Sequence, residues 1–142
     1  MNRSEALARQ FLELTDRRDW PAREAMLTPD NEFVLPFAVL RGPQAATAFS
    51  EPFLSAFADG RHHVELVVAS GDVAVVEGTW IGTHTGPLPT PDGAVPATGK
   101  VISLPFAMLV RVQGDLLASE HVYLDQLAFL AQLGLVPTPQ AA

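Results

Sequence analysis

Val101-Ile-Ser-Leu-Pro-Phe-Ala-Met-Leu-Val-Arg-Val112, then Gln113-Gly114-Asp115, then Leu116-Leu-Ala-Ser-Glu-His-Val-Tyr-Leu-Asp125 is the stretch that decides the fold. Two β-like runs joined through a glycine-containing turn read as a long antiparallel hairpin. Upstream, Val64, Leu66 and Val68 alternate against His63, Glu65 and Val67, a Ser70-Gly71-Asp72 turn follows, and Val73 to His84 forms the return strand of a second hairpin. Between the hairpins, Gly86 to Gly99 holds Pro87, Pro89, Pro91 and Pro96. That is too proline-rich for a central strand and long enough for a functional loop.

Outward from the hairpins the period becomes helical. Leu7, Ala8, Phe11, Leu12 and Leu14 recur at helical spacing behind Ser4, an expected N-cap, which predicts a helix over residues 4–18. Asp19-Trp20-Pro21 opens a second, short helix that Thr28-Pro29-Asp30-Asn31 ends. Two short strands, Glu32 to Pro36 and Val39 to Arg41, precede a third helix that Gly42-Pro43 opens. Phe49, Phe53 and Phe57 lie on one face of it, and Pro52 is expected to kink it. After the last strand, Gln126 to Leu133 reads as a helical turn stopped by Gly134, and residues 137–142 as a loose tail. Helices first and long hairpins afterwards give an α+β fold in one domain, residues 1–142, with helices covering one face of a strongly curved sheet around a pocket.

Composition narrows the function. The 142 residues are 48% hydrophobic and contain no Cys, and sixteen Asp+Glu against nine Lys+Arg give a formal net charge of −7. A chain of this length buries roughly 70% of its unfolded surface, enough for a core without staples. An acidic chain lacks the positive field that phosphate backbones and anionic lipids require, so neither nucleic acid nor membrane is an expected partner. Without Cys there is no thiolate nucleophile and no zinc thiolate site, and the cytoplasm is the default location. The four His show no metal-ligand spacing: His62 and His63 are adjacent and point to opposite faces of a strand. No Gly-x-Gly-x-x-Gly, Walker or Gly-x-Ser-x-Gly sequence is present, so no metal, nucleotide or other cofactor is expected.

Trp80-Ile81-Gly82-Thr83-His84-Thr85-Gly86, Ala97-Thr98-Gly99-Lys100, Leu40-Arg41-Gly42-Pro43 and the run Glu120-His121-Val122-Tyr123-Leu124-Asp125-Gln126 with Gln132-Leu133-Gly134 after it resemble the SnoaL-like polyketide and ester cyclases of the nuclear transport factor 2-like superfamily. The resemblance spans nearly the whole chain. It implies a cone-shaped α+β fold, commonly a homodimer, with three helices of the N-terminal half on a mainly antiparallel sheet. It also implies a cofactor-free aldol ring closure in which an aspartate of the last strand, here Asp125, serves as acid and base. Two departures stand out: Leu104, Phe106 and Met108 where the cyclases place polar pocket residues, and Leu124 before Asp125 where many relatives have an aromatic.

Alternation along a strand sets His121, Tyr123 and Asp125 on one face and Glu120, Val122 and Leu124 on the other. The polar triplet is the candidate catalytic set. Asp125 would exchange protons from an apolar cavity, with Tyr123 donating a hydrogen bond and His121 relaying a proton. The competing readings are an N-cap for Asp125, a rim position for Tyr123 and a backbone-bonded strand histidine for His121. Phe106, Met108, Trp80, His84, Phe53 and Trp20 are the candidate pocket lining, with simple core packing as the alternative for the aromatics. Gly78, Gly82 and Gly86 return to one face and leave it thin, for a ligand or for a dimer interface. The expected function is a cyclase or isomerase acting on a small hydrophobic carbonyl compound. A non-catalytic binding or assembly module and an epoxide or lactone hydrolase are the alternatives.

Overall fold

A computed structural model of the chain describes residues 1–138. The end of the tail expected to be loose, residues 139–142, lies outside the described residues. The order is α1 (Arg3–Asp16), α2 (Trp20–Glu24), β1 (Leu27–Leu35), β2 (Ala38–Arg41), α3 (Pro43–Ser55), β3 (Arg61–Ser70), β4 (Val73–Thr83), β5 (Leu88–Thr90), β6 (Gly93–Val95), β7 (Val101–Gln113), β8 (Leu116–Leu124) and α4 (Gln126–Gln132). Six strands form one curved sheet in the order β2-β1-β8-β7-β4-β3, antiparallel throughout except for the parallel β1–β8 pair. The expected mixed fold, with three helices ahead of the long hairpins and packed over the sheet, is the fold of the molecule. No helix among the described residues is long and apolar enough to cross a membrane.

Local chemistry sets several boundaries away from their expected places. Asn2 rather than Ser4 caps α1, its side chain accepting from the Ser4 amide at 2.7 Å. The buried Ser4 hydroxyl lies against the same Asn2 side chain and also within reach of Gly71 O and Val73 O at the β3–β4 turn. The Thr28-Pro29-Asp30 segment lies inside β1, where pairing with β8 slips between Leu27 and Glu32, so the turn residues mark an irregularity instead of an end. Pro52 sits within a continuous α3, and the helix stops at Ser55, short of Phe57. The expected proline-rich loop carries a miniature hairpin, β5–β6.

A bulge in β3 breaks the expected alternation of Val64, Leu66 and Val68. Val64 pairs with Gly78 and Leu66 with Glu77, so Glu65 is the extra residue and the strand changes phase across it. His62 and Val64 therefore face inward, while Leu66 and Val68 are 52% and 60% exposed. Gly78 permits this, since a Cβ there would lie 2.3 Å from the His63 carbonyl oxygen. Gly78 and Gly82 are both buried on the inner face, so they do not open an outer surface for a second copy. The room beside Gly60 and Gly82 is filled by the Trp80 indole.

Pairing between β7 and β8 fixes which face of β8 looks inward. Phe106 opposes Leu124, Met108 opposes Val122 and Val110 opposes Glu120, whereas Ala107 opposes Tyr123 and Leu109 opposes His121. Directly opposed residues share a face. With Phe106, Met108 and Val110 buried, the inward row of β8 is Glu120, Val122 and Leu124, and the triplet expected in the pocket belongs to the outside. Tyr123 is 58% exposed, and His121 is half-buried with Nε2 at 3.6 Å from Glu32. Asp125 follows the strand and caps α4, accepting from the Ala128 amide at 3.0 Å.

Candidate functional site

Between the helices and the inner sheet face lies a cavity of about 100 Å³. Phe11 and Leu12 of α1, Phe33 and Leu35 of β1, Phe49, Phe53 and Leu54 of α3, Trp80 of β4, Leu104, Phe106 and Met108 of β7, Val122 and Leu124 of β8 and Phe129 of α4 line it, with Phe37. Strands β1, β7 and β8 contribute alternate residues, as the pleat demands. The aromatic side is continuous: Phe53 lies 5.5 Å from Phe49, 5.9 Å from Phe37 and 6.0 Å from Phe129, centroid to centroid. Of the residues expected to line the pocket, Trp80, Phe53, Phe106 and Met108 do so.

Trp20 and His84 do not. Trp20 packs on the Arg23 guanidinium at 4.9 Å, outside the cavity. His84 is fully buried; its Nδ1 meets the Thr98 hydroxyl at 3.0 Å and the Thr98 amide at 3.2 Å, and its ring lies 5.3 Å from that of Phe57. A side chain so enclosed joins the proline-rich segment to the sheet and contacts no open space.

Four polar side chains break the apolar lining: Thr15, Arg23, Ser50 and His62. His62 reaches the wall because it stands before the β3 bulge, opposite Trp80. Its ring packs edge-on to Phe106 at 5.2 Å, and its Nδ1 lies 2.6 Å from Asp16 Oδ1. The same carboxylate accepts from the His62 amide at 3.1 Å, so the end of α1 and the start of β3 are tied at one point. With Nδ1–H directed to Asp16, Nε2 is the basic nitrogen of the ring.

Arg23 is 1% exposed, between Phe11 at 5.0 Å and Phe33 at 5.5 Å. It donates to Thr15 Oγ1 (3.2 Å), Ser50 Oγ (2.7 Å) and Ala46 O (3.3 Å), while its Nε has no partner among the described residues. Behind it, fully buried Glu120 accepts from Asn31 Nδ2 at 2.6 Å, and Glu120 Oε1 and Asn31 Oδ1 are unpaired among the described residues. Burial pushes the Glu120 carboxyl up to about 8 against the opposing pull of Asn31 and Arg23. Burial likewise lowers Arg23 to about 10, which leaves it a cation at neutral pH.

Sequence reasoning missed His62, Asp16, Arg23, Asn31 and Glu120. A signal for the first existed in Leu66-Val67-Val68, three apolar residues in a row that interrupt the period of two and mark the bulge. For Arg23, Asn31 and Glu120 the signal was weaker: each is a polar residue on an otherwise apolar face. Among the described residues, no group of three or more His, Cys, Asp or Glu is placed to hold a metal ion.

Residues 8–120 match the SnoaL-like domain. The chain belongs to this family. No curated protein matches it. Among solved structures, this SnoaL-like domain is similar to a protein from Jannaschia sp. CCS1 proposed to be a SnoaL-like polyketide cyclase (20% identity, TM-score 0.80, 95% of this chain and 94% of that one). It is similar also to IdmH of Streptomyces antibioticus, proposed to be a polyketide cyclase (20% identity, TM-score 0.77, 92% and 98%). A third similar structure is a ketosteroid isomerase-like fold from Catenulispora acidiphila in complex with trimethylamine (19% identity, TM-score 0.75, 94% and 97%). At these identities the three neighbours speak to the fold.

Proposed function

We propose that this SnoaL-like domain is a cofactor-independent acid/base enzyme of the cyclase or isomerase kind, acting on a small hydrophobic carbonyl compound, with His62 as the proton-transferring group. The observation that carries the reading is the His62–Asp16 pair at the wall of an aromatic cavity. A neutral imidazole oriented by a carboxylate can take a proton from the carbon beside a carbonyl and return it elsewhere on the molecule. The apolar walls exclude water and hold the substrate still, and the family's cyclase relatives support this class of chemistry.

The test is solvent exchange. Incubated in D₂O with 2-tetralone, the protein is expected to accelerate deuterium uptake at the α-carbons, followed by NMR, and His62→Gln is expected to abolish the acceleration. An exchange rate equal in wild type and His62→Gln would sink the reading. The almost wholly apolar lining favours a second one, a binding module that holds a hydrophobic molecule without changing it. Tight binding of tetralone with no exchange above buffer would select that alternative.

The family habit of pairing and the exposed apolar residues Leu66, Val68, Val75, Ile81 and Val101 on the strands β3, β4 and β7 also support a homodimer through the outer sheet face. Light scattering at low micromolar concentration should give twice the 15.2 kDa of one chain. A mass of one chain would refute the pairing.

A further inference from the structure

The part of the cavity lining formed by Arg23, Thr15 and Ser50 is chemically unlike the rest. A guanidinium carries five N–H donors, and three of those of Arg23 meet acceptors among the described residues. Its Nε is buried without a partner among the described residues. No carboxylate among the described residues stands within salt-bridge distance of it. Glu120, the acid nearest in influence, is bonded to Asn31 instead, and its raised pKa keeps it largely protonated at neutral pH. A buried cation without a counter-charge is costly and is ordinarily neutralised by a partner. Ser50 adds to the donor set, because its oxygen accepts from Arg23 and its own hydroxyl hydrogen remains to be given.

We propose that Arg23 and Ser50 form an anionic-oxygen subsite in the cavity wall, so that the ligand is a small hydrophobic molecule ending in a carboxylate or in a carbonyl that becomes an enolate. The subsite deepens the proton-transfer reading and rests on it for the enolate. Thr15, which touches Arg23, and Asp16, which touches His62, are consecutive residues in the last turn of α1. The base and the cation are thus held by neighbouring residues. Removal of a proton from the carbon leaves the electron pair in the C–C–O system, with negative charge on the carbonyl oxygen, and the proton on His62 Nε2. Arg23 and Ser50 stabilise that oxygen, and return of the proton to another carbon or to oxygen completes the cycle with no net gain or loss of electrons.

Binding of cinnamate and its isosteric amide, cinnamamide, measured by calorimetry at pH 7, tests the subsite without turnover. Wild type is expected to bind cinnamate at least tenfold more tightly. Ser50→Ala should narrow that preference several-fold, the loss falling mainly on cinnamate, and Arg23→Met should erase it. If Arg23→Met does not fold, the wild-type ratio and Ser50→Ala decide. Equal affinity for the two probes, tighter binding of the amide, or binding of neither would overturn the proposal. His62→Gln separates the two claims: it should keep the cinnamate preference while losing tetralone exchange. Loss of exchange with a failed preference would leave the base and refute the subsite; a kept preference with exchange indifferent to His62 would do the reverse.

Discussion

The two faces of β8 carry opposite kinds of polar residue. Outside, His121, Tyr123 and Asp125 stand near water, and each has an ordinary occupation: a carboxylate neighbour, an exposed phenol, a helix cap. Inside, the single polar residue of the row, Glu120, is fully buried, bonded to Asn31 and shifted far from its usual range. Three polar residues in step are the louder pattern in sequence, yet solvent satisfies them at little cost. One carboxyl among apolar residues is the quieter pattern and the more consequential, because burial makes its protonation state part of the fold. Chemistry in this molecule is to be sought where polar groups lie against apolar walls, as His62 and Arg23 also do.

The contrast is broken most forcefully at the wall. If the inward polar groups carry the activity, His62→Gln should lower tetralone exchange by about 10² to 10⁴-fold, the usual worth of a positioned acid/base group. Tyr123→Phe and Asp125→Asn should leave it within about twofold, since neither side chain reaches the cavity. Exchange that survives His62→Gln but dies with Asp125→Asn would return the chemistry to the outer face.

Next comes the pH dependence of stability. The folded state holds the Glu120 proton up to about pH 8, whereas a glutamic acid in the unfolded chain releases it near 4.5. The folded chain therefore binds more protons than the unfolded chain between those values. The stability that the neutral carboxyl contributes is complete below 4.5, falls as pH rises toward 8 and is flat above. Glu120→Gln cannot ionise. Its melting temperature relative to wild type should rise from pH 5 to pH 8, read by calorimetry at both values. A difference that does not change with pH would show that Glu120 is ionised in the fold.

Much of the fold was legible because period and turn chemistry act locally. The alternation of Leu104, Phe106 and Met108 faces the cavity as read, and the helices and hairpins stand near their expected places. The site was less legible, for reasons of parity. Alternation says which residues of a strand go together but not which set faces in; that comes from the partner strand. Phe106 and Met108 cannot line a cavity alongside Tyr123 and Asp125, because the β7–β8 register opposes Phe106 to Leu124 and Met108 to Val122. The inward turn of His62 depends on one extra residue in β3 and on an acid 46 positions earlier, a pairing that folding alone creates.

The smallest effect sharpens the comparison from the outside. Asp125→Ala removes a side chain that caps α4 through the Ala128 amide and touches nothing in the cavity. Loss of such a cap costs ~1 kcal/mol, so the variant should melt a few degrees lower with its exchange activity intact. The cost should be shared by Asp125→Leu and spared in Asp125→Ser, which restores a cap acceptor without restoring a carboxylate. A catalytic aspartate would give the reverse order, with serine as inactive as alanine and stability unmoved. Thermal melting and deuterium exchange on the same three variants therefore separate a residue that holds a helix from one that moves a proton.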